Sequence, residues 1–258
     1  MVRIAVFDSG FGSLSIIKSI QKHTKAEIIY FADQKNYPYG KKTKAELEEI
    51  IKNTIDNLQK SFNPDLIVIG SNTPSLLIEN LISKSTGVMG VLPPIHQAQQ
   101  VTKTNSIAIL VTSIVSKSNE LKKFLKNNLS KNVKISIIDS SELVDLVESG
   151  AFIHNKNFCL NKIVSILQSQ FKKNNVDVAT LSSTHLPFLL PIFEKIFPQV
   201  TFLDPADSVA KQIIVNQNFR PSRKNSLKIF TSGNKLQQFQ NDLAHLGIKK
   251  KIYSIDFQ

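Results

Sequence analysis

The chain has 258 residues, of which 41% are hydrophobic and 20% charged, and a single cysteine. This is globular composition, long enough for one large domain or two small ones, and it excludes an intrachain disulfide framework and a cysteine-based zinc site. The net charge is +12, but the excess is scattered lysine, with only Arg3, Arg220 and Arg223 as arginines and the densest cluster at Lys249–Lys251. Without interleaved aromatics this reads as a solvated surface rather than a nucleic-acid patch, though such a field can steer an acidic small molecule.

The N-terminal MVRIAVFDSG has an apolar run too short for a signal peptide and no small-residue cleavage site after it. It is expected to be the first strand of a cytoplasmic protein. No run of about eighteen apolar residues follows, so no membrane-spanning helix is expected. Ile4–Phe7, Ile28–Phe31, Leu66–Ile69, Ile107–Val111, Ile135–Ile138, Val178–Leu181, Val200–Leu203 and Lys228–Phe230 are candidate strands. Their apolar residues are mostly continuous, the pattern of strands buried on both faces. Between them, Lys44–Phe62 and Asn157–Lys173 carry apolar residues at three- and four-residue spacing, the pattern of amphipathic helices. Strand alternating with helix predicts parallel sheets and an α/β fold. Cys159, among apolar residues, is expected to be a buried, inert thiol.

The sequence also repeats itself. PDLIVIGSNTPSLL (64–77) lines up with VDVATLSSTHLPFL (176–189), and IAVFDSG (4–10) with IAILVTS (107–113). Two similar α/β halves are predicted. VLPPIHQAQQ (91–100) is the nearest thing to a linker. Ligands of parallel sheets bind beyond the carboxyl ends of strands, which places Ser71 and Ser183 on opposite walls of one expected cleft.

Four segments carry candidate chemistry. DSGFGS (8–13) follows the first strand and opens a helix, so its backbone amides can approach an anion. It lacks the third glycine of a dinucleotide fingerprint, and the alternative is a tight turn capped by Asp8 or Ser9. Tyr37-Pro38-Tyr39-Gly40 fixes a turn that presents amides and a phenol, or only punctuates a loop. Ser71-Asn72-Thr73 and Ser183-Thr184-His185 put hydroxyls, an amide and an imidazole just beyond strands. Such groups suit small carboxylates, and the alternative is helix capping. A Ser183–His185–Asp8 triad can be drawn, but the nucleophile-elbow sequence is absent. The other histidines lack metal-ligand spacing, so no metal is assigned.

In order, IAVFDSGFGS, YFADQKNYPYG, PDLIVIGSNTPS, GVMGVLPP, IAILVTS, LVDLVESG, LSSTHLPFLLP, TFLDPADSVAKQI and IFTSGN resemble the blocks of the cofactor-independent glutamate/aspartate racemase family across its length. The resemblance implies two pseudo-symmetric α/β domains, residues 1–95 with 207–258 and residues 96–206, with an active-site cleft between them. It implies no cofactor, no metal and no membrane. The substrate would be a small acidic amino acid or dicarboxylate, and the assembly a homodimer. In that family two thiols face the α-carbon from opposite sides, one thiolate removing the proton and the other thiol returning one. By the same resemblance Asp8 polarises the first base and Ser9 lies in the loop beside substrate. Pro38, Tyr39 and Gly40 form the substrate-binding turn, and Asn72, Thr73, Thr112 and Thr184 bind substrate groups. His185 stands beside the second base, and Glu148 is an acidic residue near that side.

The departures fall on the bases. The family reads C-N-T and C-T-H where this chain has Ser71-Asn72-Thr73 and Ser183-Thr184-His185. Val115 replaces a threonine, and Pro93-Pro94 replaces a Glu–Pro pair, which favours natural divergence over two serines engineered into an otherwise active racemase. A free thiol has a pKa of about 8.5, and a serine hydroxyl is a far weaker acid. By the resemblance, the catalytic positions are Ser71, Ser183, Asp8 and His185. Three readings stay open: an impaired racemase, a catalytically silent or repurposed carboxylate-binding protein, and an interaction protein that uses its basic surface.

Overall fold

In a computed structural model, residues 2–216, 222–234 and 236–257 are described. Arg220 lies outside them. The chain divides into two compact units, Met1–Val91 with Ala206–Gln258, and Leu92–Pro205.

The first unit carries a six-stranded sheet in the order β10-β9-β2-β1-β3-β4. Its strands are β1 (Arg3–Asp8), β2 (Glu27–Ala32), β3 (Leu66–Ile69), β4 (Val88–Gly90), β9 (Ser226–Thr231) and β10 (Ile252–Ser254). The second unit holds four strands in the order β6-β5-β7-β8, namely β5 (Ser106–Val111), β6 (Lys134–Asp139), β7 (Val178–Leu181) and β8 (Thr201–Leu203). Every pairing is parallel. Strands β2, β3, β5 and β7 are buried at every residue, as their continuous apolar runs predict.

The predicted repeat is present in the topology. Within each unit the first strand lies between the second and third, and the fourth pairs with the third, so β2-β1-β3-β4 matches β6-β5-β7-β8. The match extends to the approach to β3 and β7. A 19-residue helix precedes each, α2 (Lys44–Phe62) and the helix Lys156–Asn174. Both end on an asparagine in the left-handed conformation, Asn63 and Asn175, which frees the chain to turn into the next strand. Two residues on, an aspartate ties the start of the neighbouring strand. Asp65 Oδ2 accepts from the Arg3 N–H at 2.7 Å, and Asp177 Oδ2 accepts from the Lys103 N–H at 2.6 Å and the Thr104 N–H at 3.1 Å.

Helix α1 (Ser13–His23) buries Leu14, Ile16, Ile17 and Ile20 and packs on the helix Ala206–Asn216, where Ser19 Oγ donates to Asp207 Oδ1 at 2.5 Å. Helix α2 starts from a capping box, with Thr43 and Glu46 bonding each other's backbone N–H groups, and it buries Leu47, Ile51, Thr54 and Leu58. In the second unit one face of the sheet packs Leu110, Leu181, Leu186 and Phe193 with Cys159, Ile163 and Leu167 of the long helix. Cys159 is fully buried, and burial pushes its thiol up. Among the described residues no helix is long and apolar enough to cross a membrane.

Candidate functional site

The first unit gathers its predicted site residues just beyond the carboxyl ends of β1, β2 and β3. Asp8 is wholly buried at the end of β1, and its Oδ1 accepts from the Ser9 N–H at 2.6 Å. Its carbonyl accepts from the Asp33 N–H at 2.7 Å, which ties the ends of β1 and β2 together. The turn after Asp8 is held from β2, whose Tyr30 hydroxyl donates to the Gly10 carbonyl at 2.5 Å. Helix α1 starts only after Gly12, which has no side-chain cap, so neither Asp8 nor Ser9 serves as its cap.

Ser9 instead meets the proline turn, its Oγ accepting from the Tyr39 N–H at 3.3 Å. The Tyr37–Pro38 peptide is cis, and Pro38 and Gly40 are half-buried. The expectation that Tyr39 presents its phenol is corrected here. The ring is buried and its hydroxyl donates to Asp33 Oδ2 at 2.8 Å, because a buried phenol needs an acceptor. Burial, then the Asp33 carboxylate, then Asp8, hold that phenol well above the usual tyrosine range. The backbone of this turn, not its ring hydroxyl, is what Tyr39 can offer.

Asp33 is the centre of this network and was not singled out by the sequence. Besides Tyr39, it accepts from Asn36 Nδ2 at 2.9 and 3.1 Å and from Ser232 Oγ at 3.0 Å. Ser232 comes from the loop after β9, nearly two hundred residues later, and its Oγ also accepts from the Lys35 N–H at 3.0 Å. The one available signal was an aspartate at a strand end inside the YFADQKNYPYG block.

Ser71, Asn72 and Thr73 follow β3 through Gly70. Ser71 opens the short helix α3 (Asn72–Leu77) without a side-chain capping bond, so capping does not account for its hydroxyl. All three are buried. Asn72 Nδ2 donates to the Val91 carbonyl at 2.9 Å, while Asn72 Oδ1 is buried with no partner among the described residues.

The second unit places its residues at the ends of β5 and β7. Thr112 caps β5 and precedes a one-turn helix, with no side-chain capping bond. Val115 is buried in that turn. Ser182, Ser183, Thr184 and His185 follow β7 and are all buried. Ser182 Oγ shares a 2.8 Å hydrogen bond with Thr180 Oγ1. His185 Nε2 pairs with Glu148 Oε1 at the end of the helix Ser141–Glu148, and the two side chains are 7% and 12% exposed. Gly150, at φ 72°, turns the chain immediately afterwards. Each unit thus offers a carboxylate, buried in Asp8 and part-buried in Glu148, a serine hydroxyl just beyond a strand end and neighbouring threonine or amide groups; the second adds an imidazole.

A groove of about 580 Å³ lies in the first unit, between α2 and the loops that follow β2, β9 and β10. Asp33, Asn36, Lys42, Glu49, Asn53 and Asp256 are among its lining residues, while Asp8, Ser9 and Ser71–Thr73 are not. Among the described residues no group of three His, Cys, Asp or Glu side chains could hold a metal ion.

The chain is 31% identical over 216 residues to the glutamate racemase of Leptospira interrogans, covering 83% of this chain and 82% of that protein. The chain belongs to the glutamate racemase family. No family model matches it. Its fold is that of the glutamate racemase isoform RacE1 from Bacillus anthracis, with a TM-score of 0.85 at 24% identity over 99% of this chain and 97% of that one. It is also that of the Escherichia coli glutamate racemase solved in complex with L-glutamate and the activator UDP-MurNAc-ala, with a TM-score of 0.83 at 22% identity over 100% and 99% of the two chains. The glutamate racemase fold thus accounts for the two mainly parallel sheets and their matching strand orders.

Proposed function

We propose that the chain takes an acidic amino acid as its ligand, in a glutamate racemase frame whose two thiol bases are replaced by Ser71, after β3, and Ser183, after β7. The observation that carries this reading is the equivalence of the two turns. In both units the third strand is followed two residues on by a buried serine, Ser71 or Ser183, in a threonine-bearing turn. The E. coli relative was solved with L-glutamate, which supports glutamate as the first substrate to test.

The chemistry required is removal of the α-proton on one face and delivery of a proton on the other. A thiolate does this because its pKa lies near working pH, where proton transfer is most efficient. A serine hydroxyl is almost wholly protonated there and needs a strong neighbouring base. Asp8 in the first half and the His185–Glu148 pair in the second are the groups that could take that part. Each tenfold loss of rate corresponds to about 1.4 kcal/mol of barrier, so exchanging both bases removes most of the racemase rate while sparing carboxylate binding. A second reading, a catalytically silent or repurposed carboxylate-binding protein, is favoured by the same two serines. Absence of a cofactor and a homodimeric state belong to the proposal on the family resemblance alone.

Exchange of the α-proton in D₂O, followed by NMR with both enantiomers of glutamate and aspartate, tests it. The unmodified protein is compared with Ser71→Cys/Ser183→Cys. Activity restored by the two cysteines supports a racemase frame without its bases. Exchange in the unmodified protein assigns the proton transfers to serine, His185 or Asp8. Silence in both forms, with no glutamate or aspartate binding, sinks the reading.

A further inference from the structure

We propose that Ser75 is a positioning residue which, through Val91, fixes the side-chain amide of Asn72 so that its oxygen stays available to a donor that the fold does not supply. Ser75 is buried on α3, and its hydroxyl does two things. It donates to the Ser71 carbonyl at 2.6 Å, with Ile69 O more distant at 3.3 Å. It also accepts from the Val91 N–H at 2.9 Å. The backbone before Val91 lies flush against it, since a Cβ on Gly90 would stand 2.7 Å from Ser75 Oγ and 2.8 Å from Ser75 Cβ. Glycine at 90 is what lets the end of β4 approach so closely.

Val91 passes this placement on. Its carbonyl accepts from Asn72 Nδ2 at 2.9 Å. A carbonyl can only accept, so the nitrogen end of the amide must face Val91 and the oxygen end is fixed opposite it. That oxygen is buried and has no partner among the described residues. A buried acceptor left unsatisfied is costly, and a fold keeps one where a ligand supplies the donor. An ammonium or other N–H donor fits a lone amide oxygen; a carboxylate does not. Ser75 therefore sets the polarity of this subsite without touching the ligand. Val91 is also the last residue of the first unit, so the chain leaves that unit from a point held by both of its backbone groups. That the donor belongs to an amino acid rests on the function proposed above; the orientation of Asn72 does not.

The test is the Asn72 side-chain amide in ¹H–¹⁵N spectra of asparagine-labelled protein, assigned by its loss in Asn72→Asp. In the unmodified protein its two protons are expected to be well dispersed and protected from exchange. Ser75→Ala should collapse the dispersion and speed exchange by on the order of tenfold, the loss of one well-formed hydrogen bond. An unprotected Asn72 amide in the unmodified protein overturns the proposal, as does Ser75→Ala that folds and leaves the amide unchanged. Should Ser75→Ala fail to fold, Ser75→Cys, with weaker hydrogen bonds in nearly the same shape, gives the same comparison at smaller amplitude.

A glutamate titration then separates this proposal from the function. Binding by the unmodified protein should weaken on the order of tenfold in Ser75→Ala, with no further loss when Ser75→Ala is added to Asn72→Ala. Additive losses mean that Ser75 does not act through Asn72. No binding of either enantiomer by the unmodified protein sinks the glutamate reading, and the amide spectra still decide the role of Ser75.

Discussion

Tyr39 and Asp33 form a buried pair, the phenol donating to Asp33 Oδ2 at 2.8 Å. The carboxylate takes two further side chains, Asn36 and Ser232, so one acid holds together the proline turn, the end of β2 and the loop after β9. Asp33→Asn replaces an acceptor of several donors with a group that must itself donate. It is expected to destabilise the protein by about 2–3 kcal/mol, read from urea unfolding. Tyr39→Phe removes a single donor and should cost about 1–2 kcal/mol in the same assay. Equal, near-zero costs for both would mean that the network does not hold the turn.

Glu148 is the acceptor of the buried His185 ring. Glu148→Ala leaves that imidazole without its carboxylate, and a loss of about 1–3 kcal/mol is expected in thermal or urea unfolding. In the Ser71→Cys/Ser183→Cys protein the same change should lower α-proton exchange more than it weakens glutamate binding, because it acts on proton transfer rather than on carboxylate contacts. A matched loss in binding and exchange would instead make Glu148 a binding residue.

Eight strands, the two 19-residue helices and the internal repeat are legible because continuous apolar runs and three- to four-residue spacing are local signals. The strands β4 and β10 are not. Val88–Gly90 is a half-buried three-residue piece ending in glycine, and Ile252–Ser254 has one buried residue after a run of lysines. Both owe their strand form to the neighbour they pair with. The site is legible as blocks and illegible as a network. Asp8, Ser71 and His185 stand in motifs, but one partner of Asp33, Ser232, lies 199 positions away, and Val91 holds Asn72 through its backbone, which any residue type shares.

Asp177 makes the second unit sensitive to acid. Burial alone would raise its carboxyl, but hydrogen bonds from Thr102, from the Lys103 N–H and from Thr104 outweigh it and hold the group below the usual aspartate range. A depressed folded-state pKa stabilises the fold above the unfolded value, near 3.9, and that stability is lost as pH falls through the folded value. The stability gap between the unmodified protein and Asp177→Asn is therefore expected to be full at pH 7. It should shrink as pH falls from about 5 to 3, read from melting temperatures across that range. A gap independent of pH would show that the ionised carboxylate is not what these groups hold.

The step from β3 to Ser71 depends on how closely Gly70 approaches α1. Gly70 donates its N–H to the Phe7 carbonyl at 2.7 Å, which holds it against β1. A Cβ there would lie 2.2 Å from Ser13 Oγ, 2.9 Å from Ser13 Cβ and 3.2 Å from Val6 Cγ1. Ser13 is fully buried in the first turn of α1, so it cannot swing into solvent to make room. Gly70→Ala is expected to cost about 1–3 kcal/mol through overpacking. Ser13→Gly removes both of the nearest atoms and should recover most of that loss, leaving the contact with Val6. The measurement is a double-mutant cycle in urea unfolding, in which two residues in contact show coupling of about 0.5–3 kcal/mol. A Gly70→Ala cost that stays the same with and without the Ser13 side chain would locate the strain elsewhere, in the backbone leading to Ser71 rather than in its packing on α1.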